Sequence, residues 1–315
     1  MNSIDPVILF FLFGLAAGLL RSELKLPSAL YDSLSIFLLL AIGLKGGQGL
    51  ATQPLGPLVP QLVAVVLLGA LQTLIAYGGL RLIFRFDRPN AAATAAHYGS
   101  VSVATFAVAA AWLAARSIDV EPQMAILLAV MEVPAILVGI VLARGIGQET
   151  DWKSLAHEAF LGKGVTLLLG GMAIGWAAGP EGLQPIKGLY FDLFKAVLAL
   201  FLMEMGLIVS RQLDELKRRG IALIAFGLAM PLLSSCLGLL TGLLLGLSTG
   251  GMTMLATLAA SASYIAVPAA MRIAVPEANP AISLAGALGV TFPFNILAGI
   301  PLYHWMASQL TGATP

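Results

Sequence analysis

The chain has 315 residues, 59% hydrophobic and only 10% charged, with a mean hydropathy of +0.94 and a formal net charge of +1. That composition excludes a soluble globular domain with a solvated face, and the scatter of basic residues along loop edges excludes a nucleic-acid-binding patch. Apolar runs of about 20 residues, the length that crosses a bilayer, recur along almost the whole sequence.

In chain order these runs predict an all-α polytopic membrane protein of about ten transmembrane helices. The first five are Val7 to Leu20, Leu30 to Leu50, Leu58 to Phe84, Ala91 to Ala115 and Met124 to Leu142. The second five are Gly164 to Ala178, Leu189 to Val209, Ile221 to Leu247, Met252 to Met271 and Ala281 to Met306. The N-terminal run MNSIDPVILFFLFGLAAGLLR has no basic leader region and no small-residue cleavage site, so it reads as a first span and not as a signal peptide. Lys and Arg cluster after odd-numbered spans: Arg21, Lys25, Arg81, Arg85, Arg88, Arg144, Lys153, Lys163, Arg211, Lys217, Arg218, Arg219 and Arg272. Lys45, Arg116 and Lys187 are on the other side. Positive charge marks the cytoplasmic face, which places both termini outside a plasma (inner) membrane. Lys195, near the outer end of the seventh span, can snorkel to the interface.

Two spans should be interrupted. In the fourth, AAHYGSVSVATF (Ala95 to Phe106) gathers His97, Tyr98, Gly99, Ser100, Ser102 and Thr105 where lipid tolerates few polar groups. Gly99, the serines and the β-branched Val101 and Val103 disfavour a continuous helix. In the ninth, AASASYIAVPAAMR (Ala259 to Arg272) holds Ser261, Ser263 and Pro268, and the proline predicts a break between Ser263 and Pro268. A broken helix inside a bilayer exposes amides that suit an anion, and carbonyls and hydroxyls that suit Na⁺.

The chain also echoes itself. GLAAG (Gly14 to Gly18), Pro27 and AIGL (Ala41 to Leu44) return as GMAIG (Gly171 to Gly175), Pro185 and EMGL (Glu204 to Leu207), and ILVGIVL (Ile136 to Leu142) returns as ILAGIPL (Ile296 to Leu302). Two halves of five spans follow, over 1–149 and 150–315. Because five is odd, the second half enters from the opposite side, giving inverted repeats and two equivalent conformations that face opposite sides.

Other groups are weighed singly. Glu132 and Glu204 lie within apolar spans, where a carboxylate is a functional candidate for ion or proton coupling, or a protonated group bonded to backbone. His97 is either a hydrogen-bonded core residue or a group that titrates over the site, while His157 reads as loop and His304 as interfacial, so no His metal site is expected. Cys236 reads as a small packing residue, and one cysteine permits no intrachain disulfide. Asn295 is either a polar contact or a packing residue. No H-E-x-x-H, G-x-S-x-G or P-loop is present, which argues against an enzyme or an ATP-driven pump.

At several of these residues the chain resembles the sodium-dependent bicarbonate transporter family first associated with cyanobacteria. The resemblance rests on KLPSALYDSLSIFLLLAIGLKGG near the second span, YGSVSVAT (Tyr98 to Thr105), MEVPA (Met131 to Ala135) and ASASYIAVPAAMRIAVPEANPA (Ala260 to Ala281). It implies ten spans, core and gate subdomains drawn from both halves, a homotrimer, and Na⁺-driven bicarbonate symport. It places substrate at Gly99, Ser100, Val101 and Ser102, and the facing break adds Tyr264, Ile265 and Ala266. It places the coupling Na⁺ at Ser102, Thr105, Glu132, Ser261 and Ser263, with no other metal or cofactor. Where the family pattern has an Asp this chain has Tyr264, and Val103 and Ala104 replace a glycine and a serine. The short connection from Arg144 to Lys163 gives little basis for a PII-like regulatory partner. Two alternatives follow: proton- or Na⁺-coupled transport of another small anion, and a transport-incompetent membrane sensor with the same pocket.

Overall fold

The computed structural model describes residues 5–52, 56, 58–145, 153, 157 and 161–312; most of the Arg144 to Lys163 connection lies outside them. The described residues form helices and contain no strand. The helices are α1 (Pro6–Leu19), α2 (Ser28–Leu50), α3 (Leu58–Ile83), α4 (Arg88–Gly99), α5 (Val103–Ala114) and α6 (Met124–Arg144). They continue as α7 (Lys163–Gly182), α8 (Phe194–Arg219), α9 (Ile221–Leu244), α10 (Thr249–Ala259), α11 (Ala266–Ala274) and α12 (Pro280–Thr311). Among the described residues, seven helical stretches are long and apolar enough to cross a membrane, one of them the α4–α5 stretch, which makes this a multi-pass membrane protein.

Some boundaries differ from the sequence reading. Helix α8 starts at Phe194 and continues to Arg219, well past Val209, because its carboxyl-terminal end is a charged helix that hydropathy alone does not extend. His157 is helical and exposed, not loop. Cys236 is exposed on the outside of the bundle and packs no core.

Two seams hold the first pairs of helices, and each is a backbone-to-backbone contact allowed by glycine. Along α1 and α8, a Cβ at Gly14 would overlap the carbonyl of Met203, and one at Gly206 would overlap the carbonyl of Phe11. Along α2 and α7, a Cβ at Gly43 would overlap the carbonyl of Leu168, and one at Gly47 that of Met172. The registers match residue for residue. Gly14 on Met203 is answered by Gly171 on Leu40, Gly18 on Leu207 by Gly175 on Leu44, and Gly206 on Phe11 by Gly43 on Leu168. In both seams the residue numbers rise together, so each pair is parallel. Close approach of this kind maximises dispersion contact where lipid removes the hydrophobic drive for helix association. Gly206→Leu should therefore destabilise the protein by about 3 kcal/mol or more, seen as a lower midpoint of thermal unfolding in detergent, since the obstacle is backbone that cannot rotate away.

The remaining helices surround α4, α5 and α10, which are buried along most of their length. Asp87 caps α4 by accepting from Asn90 N–H at 3.0 Å. Burial pushes its carboxyl up, but hydrogen bonds from Asn90 and the charge of Arg81 outweigh that and hold it below the usual value. Polar contacts then fix α4 to α12: Thr94 Oγ1 and Ser283 Oγ are 2.9 Å apart, and Tyr98 OH and Thr291 Oγ1 2.8 Å.

Candidate functional site

Helix α4 stops at Gly99 and α5 starts at Val103, with Ser100 (φ −95°, ψ −174°) and Ser102 (φ −116°, ψ 115°) extended between them. Gly99 is required by the approach of α3: a Cβ there would overlap Thr73 Oγ1 and sit 2.8 Å from the carbonyl of Gly69. Helix α10 stops at Ala259 and α11 starts at Ala266. This second interruption, residues 260–265, begins upstream of the predicted Ser263 to Pro268 and overlaps it at Ser263 to Ile265. Pro268 falls in the first turn of α11, where its missing N–H leaves no intrahelical bond unmade, so it opens a helix and does not break one.

The second interruption is hydrogen-bonded both to the last turn of α4 and to the extended segment that follows it. Ser263 N–H donates to His97 O at 2.8 Å, and His97 Nδ1 lies 2.6 Å from Ser263 O. A carbonyl only accepts, so Nδ1 carries the proton, which makes His97 a bonded core histidine. Ser102 N–H donates to Ser261 Oγ at 2.9 Å. Ser102 Oγ accepts from Thr105 N–H at 3.1 Å and from Thr105 Oγ1 at 2.9 Å, and donates to Tyr264 OH at 3.2 Å. The Tyr264 ring meets Phe292 edge-on, centroids 5.8 Å apart.

Ser100, Ser102, Thr105, Ser261 and Ser263 are all buried, as is Val101; Tyr264 and Ala266 are half-buried, and Ile265 is 42% exposed as the N-cap residue of α11. The amino ends of α5 and α11 meet where Ser102 contacts Tyr264. Ser102 satisfies the third amide of α5 and, among the described residues, those of Val103 and Ala104 have no cap, a positive end that favours an anion. At the carboxyl end of α10 the carbonyls are taken. Gln72 Nε2 donates to Ala259 O at 2.9 Å and Asn295 Nδ2 to Ala260 O at 2.8 Å, with Asn295 Oδ1 accepting from Tyr303 OH at 2.7 Å. At the first break, by contrast, Ser100 Oγ is buried with no hydrogen-bond partner among the described residues, and so is Gln72 Oε1.

The chain is a member of the Na⁺-dependent bicarbonate transporter superfamily. The family model matches residues 6–308, almost the whole sequence and both interrupted stretches. No curated protein matches the chain. In this member of the superfamily Ser102, Thr105, Ser261 and Tyr264 form one network and Ser263 bonds to His97 and Val267, while Glu132 stands apart from both. Glu132 is buried on α6 and makes no hydrogen bond or ion pair among the described residues; its neighbour Met131 approaches Gly69, which packs on Gly99. Glu204 is also buried, with Oε2 lacking a partner among the described residues. No group of three His, Cys, Asp or Glu that could hold a metal ion is found among the described residues.

Gln72 and Thr73 were missed by sequence reasoning. The signal was there: a glutamine and a threonine inside LLGALQTLIAYG, where polar groups in lipid need partners. Tyr264→Phe, which keeps the ring on Phe292 and removes only the hydroxyl bonded to Ser102, should weaken substrate affinity about fivefold with little change in maximal flux, measured as KM for uptake in proteoliposomes.

Proposed function

We propose that this transporter is a secondary active symporter that moves bicarbonate inward with Na⁺. The anion is held between the interrupted segments of the fourth and ninth spans. The observation that carries the reading is the direct hydrogen bonding between those segments, 2.8 Å from Ser263 N–H to His97 O and 2.9 Å from Ser102 N–H to Ser261 Oγ, which brings two half-helix amino ends to one place in a buried region. Bicarbonate is a planar anion with acceptors and one donor, so uncapped amides and hydroxyls can hold it without a lysine or arginine. Na⁺ is a hard cation that takes oxygen ligands, and the hydroxyls of Ser102, Thr105, Ser261 and Ser263, adjacent carbonyls and the Glu132 carboxylate supply that chemistry.

In this reading residues 1–149 and 150–315 are inverted repeats of five spans each. The matched registers of the α1–α8 and α2–α7 seams support it. Exchanging the halves maps α1 onto α7 and α2 onto α8, and so maps one parallel pair onto the other. Those four helices form one rigid body, the crossing segments belong to another, and transport is the movement of one body against the other, in a homotrimer in the plasma membrane with both termini outside.

Tyr264 in place of the family acid, with Glu132 buried and unpaired, favours a second reading in which protons couple transport of bicarbonate or another small anion. Uptake of labelled bicarbonate into proteoliposomes, with Na⁺, K⁺ and pH gradients imposed separately, tests both. Accumulation with the Na⁺ gradient alone is the expected result. Accumulation only with the pH gradient selects the proton-coupled reading, and binding without flux under every gradient selects a sensor.

A further inference from the structure

A pocket of about 620 Å³ lies where α1 and α8 end their shared seam, lined by Gly18, Arg21, Ser22, Lys25, Ser210 and Arg211 with Glu23, Leu24 and Leu207. Its lining carries three cations and one carboxylate. Three basic side chains outside the pocket have acids within reach: Lys163 with Asp32 at 2.8 Å, Lys195 with Asp5 at 3.9 Å and Arg144 with Glu277 at 3.9 Å. Here, although Glu23 shares the wall, no ion pair within 4.0 Å forms to Arg21, Lys25 or Arg211 among the described residues.

The pocket is not a by-product of the repeat. The seam register that matches Gly18 with Gly175 and Leu207 with Leu44 puts Ala178 opposite Arg21, Gly182 opposite Lys25 and Gln48 opposite Arg211, so the equivalent place on the other side carries none of the charge. The Arg21 backbone is left-handed (φ 54°), a conformation uncommon for arginine, and it turns the chain across the end of α1. Just before it, Leu19 and Leu20 are 55% and 82% exposed, and Phe13 one turn further back is 58% exposed. The cationic hollow therefore adjoins an apolar helix face of the kind that acyl chains cover.

We propose that this pocket binds a phosphate monoanion or diester, and that the phosphate is the headgroup of an anionic phospholipid whose acyl chains lie along α1. Arg21 and Arg211 offer planar, bidentate donors to phosphate oxygens, Lys25 adds a point charge, and the Ser22 hydroxyl is a further donor. A lipid seated there bridges α1 and α8 at the end of the seam where Gly18 packs against Ser210. The site stands whether or not the bicarbonate reading does.

The test uses the full chain in detergent, with native mass spectrometry and thermal unfolding read against phosphatidylglycerol, phosphatidylcholine, glycerol 3-phosphate and inorganic phosphate. Phosphatidylglycerol should bind in preference to phosphatidylcholine and raise the unfolding midpoint, with affinity falling as salt rises. The double variant R21Q/R211Q should lower that affinity about tenfold or more, whereas R85Q/R272Q, equal in charge loss but remote, should not. E23Q, which removes the one acid from the wall, should tighten binding severalfold and guards against a double variant that fails to fold. Equal protection by glycerol 3-phosphate or inorganic phosphate would keep the phosphate site and make its source soluble. Indifference to headgroup charge, or equal losses in the two double variants, would overturn the proposal.

Discussion

The double variant S102A/S263A should lose at least two orders of magnitude of Na⁺-dependent bicarbonate uptake in proteoliposomes while its unfolding midpoint moves by only a few degrees. Ser102 Oγ joins three groups, Thr105 N–H, Thr105 Oγ1 and Tyr264 OH, and Ser263 Oγ lies 3.4 Å from Val267 N–H at the start of α11. Each hydroxyl therefore sits at the amino end of one half-helix. Removing a helix cap costs about 1 kcal/mol of stability. Removing a hydrogen bond to a charged ligand costs about 1.5–3 kcal/mol of its binding, so under the proposed function losing both hydroxyls weakens the occupied state far more than the fold. The backbone bond from Ser263 N–H to His97 O and the bond from Ser102 N–H to the Ser261 hydroxyl use neither substituted side chain, survive both substitutions and keep the segments together. Near-normal flux would remove the hydroxyls from the mechanism.

Gly99→Val should abolish uptake, and here by displacement of α4. The added Cβ would overlap Thr73 Oγ1 and press on the Gly69 carbonyl, and α3 cannot yield there because a Cβ at Gly69 itself would already stand 3.2 Å from the Gly99 carbonyl. Overpacking of this kind costs about 1–3 kcal/mol. It also moves Ser100 and Ser102 away from Ser261. The partial relief is specific: Gly99→Ala combined with Thr73→Gly removes the overlapping Oγ1 and should recover at least about a tenth of wild-type flux, while Gly99→Ala alone should not. Equal activity of the single and double variants, measured as initial uptake rates at matched protein density, would show that the contact does not position the site.

How much of this could be read from the sequence depends on the range of each interaction. The helical spans follow from apolar length, and the interruption after Gly99 follows from local chemistry, since serine and β-branched residues act on their own turn. The ninth-span interruption was read a few residues late. Pro268 announces a helix boundary but not its side, and only the structure shows that it opens α11. Gln72 was passed over because its partner, Ala259 O, lies 187 residues away in the chain, and a lone polar residue in an apolar span carries no mark of where it points. Asn295 left two readings open for the same reason, and its bonds to Ala260 and Tyr303 resolve them. The glycines of GLAAG and GMAIG were visible as repeated motifs. That they face EMGL and AIGL across two seams of matching register belongs to tertiary packing.

The account stands most directly on simultaneous uptake of labelled Na⁺ and labelled bicarbonate by the same proteoliposomes with no other gradient present. Both labels should accumulate in a fixed ratio, each should stop when the other ion is withheld, and both should be lost together in S102A/S263A. Bicarbonate that accumulates at the same rate without Na⁺, or that enters the double variant as it enters the wild type, would contradict it.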